Sequence, residues 1–156
     1  MSYPNMQSAV NAYTQVDMHS HAAYASPHQL IQLLMENTLR KIVAAKSYML
    51  QGSSNWESVA KKGENISNAI VLVEGLRLSL DKEAGGEIAQ NLEDLYDYFE
   101  RRLAVANAKN DPAILDEVAS LMNEIKSAWV AIGNHPAANP ATPPVRPAAK
   151  NVPAIG

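Results

Sequence analysis

Apolar residues return every three or four positions along most of the chain, and the breaks between these stripes carry helix start and stop signals. Ile31, Leu34, Met35, Ile42, Ala45 and Met49 form the first stripe, a spacing that places them on one helical face. Ser26-Pro27-His28-Gln29 precedes it as a capping box with proline at the first helical position. Gly52 follows as a left-handed stop. Ser54-Asn55-Trp56-Glu57 reads as a second capping box, ahead of Val59, Ile66, Ile70, Val73 and Leu80. Gly63 and Gly75 interrupt this stripe, and close packing against a neighbouring helix accounts for them better than local softness. Gly85-Gly86 marks a turn before Ile88, Leu92, Leu95, Phe99, Leu103 and Ala106. Glu87, Glu93 and Asp94 come early in that segment and Arg101, Arg102 and Lys109 late, which complements a helix dipole. Asp111-Pro112 repeats the cap-plus-proline start for Ile114, Val118, Leu121, Met122, Ile125, Trp129 and Ile132, and Gly133 ends the run.

The pattern predicts four helices near 27–50, 55–81, 86–109 and 112–132, joined by two to four residues. Joints that short force antiparallel neighbours, so the predicted fold is all-α, an up-and-down four-helix bundle spanning 26–133. The two ends read differently. Residues 1–25 are polar with scattered tyrosines and form an N-terminal arm. Residues 134–156 hold six of the nine prolines and many alanines. Proline lacks the backbone donor and clashes inside a helix, so this segment is expected to be a disordered tail. Pro144-Val-Arg-Pro147 is only a weak match to a polyproline docking motif.

Composition removes several function classes. There is no cysteine, which rules out disulfides, zinc-thiolate sites and thiol catalysis. The net charge is −3 and no basic block is present, so nucleic acid is not expected as a partner. The first basic residue is Arg40, and apolar runs such as Ala69–Val73 fall far short of a membrane span. No membrane insertion is expected, and the cytosol is the expected location. The chemistries that four-helix bundles host are also missing. A di-iron site needs Glu-x-x-His pairs, and none occurs. A haem site needs an axial His or Met in the core plus a pocket, and a phosphotransfer site an exposed histidine in mid-helix, whereas His28 lies in a first turn and His19, His21 and His135 lie outside the helices. His19-Ser-His21 offers two nitrogens where a closed metal site needs three or four ligands. Glu93, Asp94, Asp97 and Glu100 read as a solvated helix face rather than a catalytic carboxylate pair. No catalytic residue, metal or cofactor is expected.

What remains are apolar residues off the main stripes: Leu30 and Leu33 on the first helix, Val71 and Leu78 on the second, Tyr96 and Tyr98 on the third. Scattered singly they are ordinary surface. Gathered on adjacent helices they make a groove for an amphipathic partner. Periodicity alone leaves these two readings evenly balanced.

Three segments bear a specific likeness. The first is Ala25-Ser-Pro-His-Gln-Leu-Ile31, preceded by Ala12-Tyr13 and Val16. The second runs from Ile70 to Asp81 and ends in Leu78-Ser-Leu-Asp81. The third is the longest, Gly85-Gly-Glu-Ile-Ala-Gln-Asn-Leu92, then Leu95-Tyr-Asp-Tyr98, Arg101-Arg-Leu103, Ala106-Asn107 and Lys109-Asn-Asp111, continued by Glu117-Val118 and Ala128-Trp129. Over about residues 12–132 the chain resembles the flagellar export chaperone family that binds flagellin, the FliS family. It departs from the family pattern at Met35-Glu-Asn37 and Gly75.

The resemblance implies a cytosolic chaperone, not an enzyme. Its client is the disordered C-terminal segment of newly made flagellin. It blocks premature polymerisation and assists delivery to the flagellar type III export apparatus, whose components are further partners. Leu30, Leu33, Val71, Leu78, Tyr96 and Tyr98 are then the candidate client contacts, and the arm, through Tyr13 and Val16, a regulatory cover for the groove. The rival classes are a generic helical adaptor and a cryptic enzyme. The enzyme would need a pocket of convergent polar groups that the sequence does not display.

Overall fold

The structure, a computed structural model, describes residues 26–134. The arm with Tyr13 and Val16, and the tail from residue 135 onward, lie outside the described residues. Four helices follow one another: α1 (Pro27–Leu50), α2 (Trp56–Leu78), α3 (Lys82–Lys109) and α4 (Pro112–Gly133). α1 packs on α2 and α4, and α3 packs on the same two helices. This closed ring of sequence neighbours is the predicted up-and-down bundle.

The start of α1 is the expected capping box. The Ser26 hydroxyl accepts from the Gln29 amide at 3.2 Å, and the Ser26 amide donates to Gln29 Oε1 at 3.0 Å. At α2 the cap shifts by one residue. Asn55, not Ser54, accepts from the Glu57 and Ser58 amides at 3.0 and 3.3 Å, so the helix opens at Trp56. α2 also ends earlier than its sequence stripe, at Leu78, because Ser79 turns back onto the Leu76 carbonyl at 2.7 Å. That frees Asp81 to cap α3 by accepting from the Ala84 amide at 3.0 Å.

The predicted turn at Gly85-Gly86 is a kink inside α3. Gly86 has φ 56° and ψ −128°, a conformation essentially restricted to glycine. The short turn before it is held to the main helix by Lys82 Nζ, 2.9 Å from Glu93 Oε1. α3 stops at Asn110, which is left-handed with φ 55°, and Asp111-Pro112 opens α4 as expected.

The core is one cluster. Met35, Ile42 and Ala45 enter from α1, Ile66, Leu72, Val73 and Leu76 from α2, Phe99 and Leu103 from α3, and Leu115, Val118 and Met122 from α4. On α2 the buried face is rotated from the one read in the sequence. Ile66, Ala69, Val73 and Leu76 carry it, while Val59 is exposed and Ile70 and Leu80 are only half-buried. One turn before Ile66 the same face holds Lys62. Its stem is buried and its ammonium donates to the Asn107 carbonyl at 3.1 Å and to Asn110 Oδ1 at 3.0 Å. A lysine that closes a helix C-terminus this way takes a core position that an apolar-only pattern skips. Ile88, just past the kink, and Ile132, in the last turn of α4, are likewise exposed rather than core.

The far ends of α1 and α4 are locked by His28 and Trp129. Their rings stack at 4.5 Å with 6° between planes. Trp129 Nε1 donates to the His28 carbonyl at 2.9 Å, and His28 Nε2 reaches the Trp129 carbonyl at 2.7 Å, which requires the proton on Nε2. Gly133 makes room for this lock: a Cβ there would run into the His28 ring.

Candidate partner-docking surface

The six off-stripe side chains separate once the helices are in place. Leu30 and Leu33 are half-exposed on α1. Leu78 is 48% exposed at the end of α2. Val71 is half-buried and packs against the core. Val71, Glu74 and Leu78 share one face of α2, since residues three and seven apart align on a helix.

Tyr96 corrects the surface reading. It is buried, 2% exposed, in the centre of the bundle. Residues 96, 99, 103 and 106 repeat at helical spacing, so Tyr96 heads the stripe that Phe99, Leu103 and Ala106 continue. Its ring lies 6.3 Å from that of Phe99, and burial pushes its hydroxyl up to about 12. A partner cannot touch it without opening the bundle.

Tyr98 is half-buried and already engaged across the α3–α4 seam. Its hydroxyl donates to the Glu117 carboxylate, and Arg102 Nε donates to the same carboxylate at 3.0 Å. The guanidinium carbons of Arg101 and Arg102 stand 5.8 and 6.0 Å from the ring centre. The hydrogen bond to Glu117 raises the Tyr98 hydroxyl, and the same bond holds the Glu117 carboxyl below the usual carboxylate range. Tyr98 is thus only partly open to a partner.

The acidic set on α3 is also not uniformly solvated. Asp94 and Asp97 are exposed, but Glu93 is tied to Lys82 and Glu100 is half-buried against α2. There Arg77 bridges two carboxylates, with Glu100 Oε2 at 3.3 Å and Glu74 beside its other edge. Glu74 is almost wholly buried. Burial first, then the Glu74 carboxyl beside it, raise the Glu100 carboxyl to about 7. One guanidinium facing two desolvated carboxylates leaves one of them to hold a proton near neutrality.

A carboxyl that binds its proton more tightly in the folded than in the unfolded chain adds stability as pH falls. The gain begins as pH drops through about 7 and is complete below the ordinary value of 4.5. Urea melts should therefore show a higher midpoint at pH 5.5 than at pH 8, and Glu100→Gln should flatten that difference. An unchanged pH slope in the glutamine variant would show that other groups set it.

Four large apolar side chains that the periodicity did not single out as surface are the most exposed: Trp56 at 80%, Ile88 at 71%, and Val43 and Leu50 at 65% each. Trp56 entered the sequence reading only as part of a cap. Its place in the first turn, ahead of the buried stripe, was the available signal that it points outward. Among the described residues no helix is long and apolar enough to cross a membrane, and no three His, Cys, Asp or Glu side chains gather to hold a metal ion. The Asp116 and Glu124 carboxylates flank a polar groove of about 670 Å³ along α4, but they stand eight residues apart, about 12 Å along one helix, too far for an acid–base pair.

What this geometry offers is a rigid helical scaffold with apolar side chains set outward. The sequence model of the family described as "Flagellar protein FliS" matches residues 9–136. This chain belongs to the FliS family. The match runs through all four helices, and the FliS-type bundle has relatives of known role. It is 44% identical over 123 residues to the flagellar secretion chaperone FliS of Salmonella typhimurium, covering 78% of this chain and 87% of that one. It is 42% identical over 126 residues to the flagellar secretion chaperone FliSB of Pseudomonas aeruginosa, covering 81% and 96%. It is 39% identical over 124 residues to the FliS of Vibrio cholerae, covering 80% and 88%. Membership of a family of flagellar secretion chaperones supports an export-chaperone role and points to a flagellar export substrate as partner.

Proposed function

We propose that this protein is a cytosolic export chaperone that binds the C-terminal segment of flagellin, keeps it from polymerising, and assists its delivery to the flagellar type III export apparatus. The observation that carries this reading is the FliS match across residues 9–136, with relatives named as flagellar secretion chaperones. The physical support is the contrast between core and surface. The interior is closed by one apolar cluster, while Leu78, Val43 and Trp56 remain exposed on helices that the core holds rigid. A preformed apolar surface suits a disordered client that folds as it binds, because only one partner then loses conformational freedom. Ordering the client offsets part of the contact energy, which leaves the complex tight enough to protect and loose enough to release.

The test is filament growth followed by light scattering. Flagellin monomers seeded with filament fragments should stop elongating when an equimolar amount of this protein is present. Undiminished growth at a several-fold excess would overturn the proposal.

A further inference from the structure

Above their shared core, helices α1 and α4 are joined by two further ties, with a groove between them. At one end His28 stacks on Trp129. Toward the other, Lys46 Nζ lies 2.8 Å from Asp116 Oδ1. On α1 the groove between them runs from Glu36 to Val43, about 10 Å at 1.5 Å per residue, enough to seat some two turns of a helix. The intervening groove measures about 360 Å³ and is lined by Glu36, Leu39, Arg40 and Val43 of α1 and Lys126 of α4. Its apolar part is Leu39, which packs on the core beneath, and Val43, one turn on and largely exposed. Leu50, also exposed, continues the same face of α1.

The rim is cationic. Arg40 is exposed and Lys126 half-buried, and among the described residues neither carries a salt bridge. Glu36 is occupied by Gln32, whose side-chain amide donates to it at 3.0 Å. The lining residues thus hold two cations against one carboxylate, on a chain whose net charge is −3. Apolar side chains at i and i+4 flanked by unpaired cations are complementary to a helix with apolar residues at that spacing and carboxylates beside them.

We propose that the α1–α4 groove docks an acidic amphipathic helix of the exported client, its apolar residues seated on Leu39 and Val43 and its carboxylates facing Arg40 and Lys126. The proposal rests on the client-binding reading above and assigns it a surface that the off-stripe residues did not include.

The test compares the unaltered full chain with Arg40→Glu/Lys126→Glu and with Arg40→Gln/Lys126→Gln, titrated calorimetrically with flagellin at low and high salt. Circular dichroism melts confirm folding, and the milder glutamine pair serves if the reversal pair does not fold. The charge-reversed protein should bind about tenfold or more weakly, as expected for charges that meet partners across an interface. It should also lose most of the salt dependence shown by the unaltered chain. Equal affinity and equal salt dependence in the altered chain would overturn the groove assignment while leaving flagellin binding intact. No binding by the unaltered chain would overturn both. The exposed Ile88 with Glu87 beside it offers a second copy of the chain a similar chemistry. Sedimentation showing that the unaltered protein dimerises and that charge reversal makes it monomeric, with flagellin affinity unchanged, would give the groove to self-association and overturn the proposal.

Discussion

Tyr96→Ala should destabilise the bundle by about 3–5 kcal/mol, the range for deleting a large aromatic side chain from a closed core. For a domain of this size that lowers the melting temperature by on the order of 15–25 °C. The cause is packing. Tyr96 is 2% exposed and begins the α3 stripe that Phe99 and Leu103 continue, so truncation opens a cavity that surrounding side chains fill only partly. Tyr98→Phe is the control on the neighbouring seam. It removes one hydroxyl from Glu117, which Arg102 still contacts, and should cost about 1 kcal/mol or less. Thermal melts followed by circular dichroism separate the two. If Tyr96→Ala melted with the parent protein, the assignment of Tyr96 to the core would be wrong, and its reading as a client contact would stand again.

The second large effect is on binding. Leu78→Lys should weaken flagellin affinity about ten- to a hundredfold, the loss found when an exposed apolar anchor is removed from an interface. Its melting temperature should stay within a few degrees of the parent's. Leu78 is 48% exposed and is the last residue of α2, where a cation is favoured by the helix dipole. Val71→Lys separates the two roles. Val71 lies on the same face but packs against the core, so its substitution should lower both affinity and melting temperature. Calorimetry paired with melts on both variants decides the matter. Leu78→Lys binding as tightly as the parent would remove this end of α2 from the client surface.

Much of the fold could be read from the sequence because two kinds of signal agreed. At α1 and α4 the caps, the proline at the first helical position and the apolar stripe all point to one boundary, and the observed helices start at Pro27 and Pro112 as expected. Between α2 and α3 the signals compete. Leu80 extends an apolar rhythm past the point where Ser79 already ends the helix, and Asp81 then serves the next one. Periodicity counts only apolar positions, so it misses a buried lysine whose ammonium closes another helix and a tyrosine whose ring belongs in the core.

The surface was harder to read for the same reason. An off-stripe residue is merely not central to its helix, and whether it faces solvent depends on where the neighbouring helix lies. Leu78 and Tyr96 look alike in the sequence and end up on opposite sides of that distinction. The Glu74–Arg77–Glu100 cluster joins helices twenty-odd residues apart in the chain, and no local pattern couples those positions. Val43 does not stand out in the sequence because one exposed apolar residue on a polar face is unremarkable until a neighbouring helix makes it the side of a groove.

The central claim, binding to the C-terminal segment of flagellin, is tested most directly by isothermal titration of this protein with full-length flagellin and with flagellin lacking that segment. Full-length flagellin should bind one-to-one, with the negative heat-capacity change that accompanies burial of apolar surface by a folding client. The truncated form should give no binding heat at the same concentrations. Equal affinity for the two forms would contradict the account.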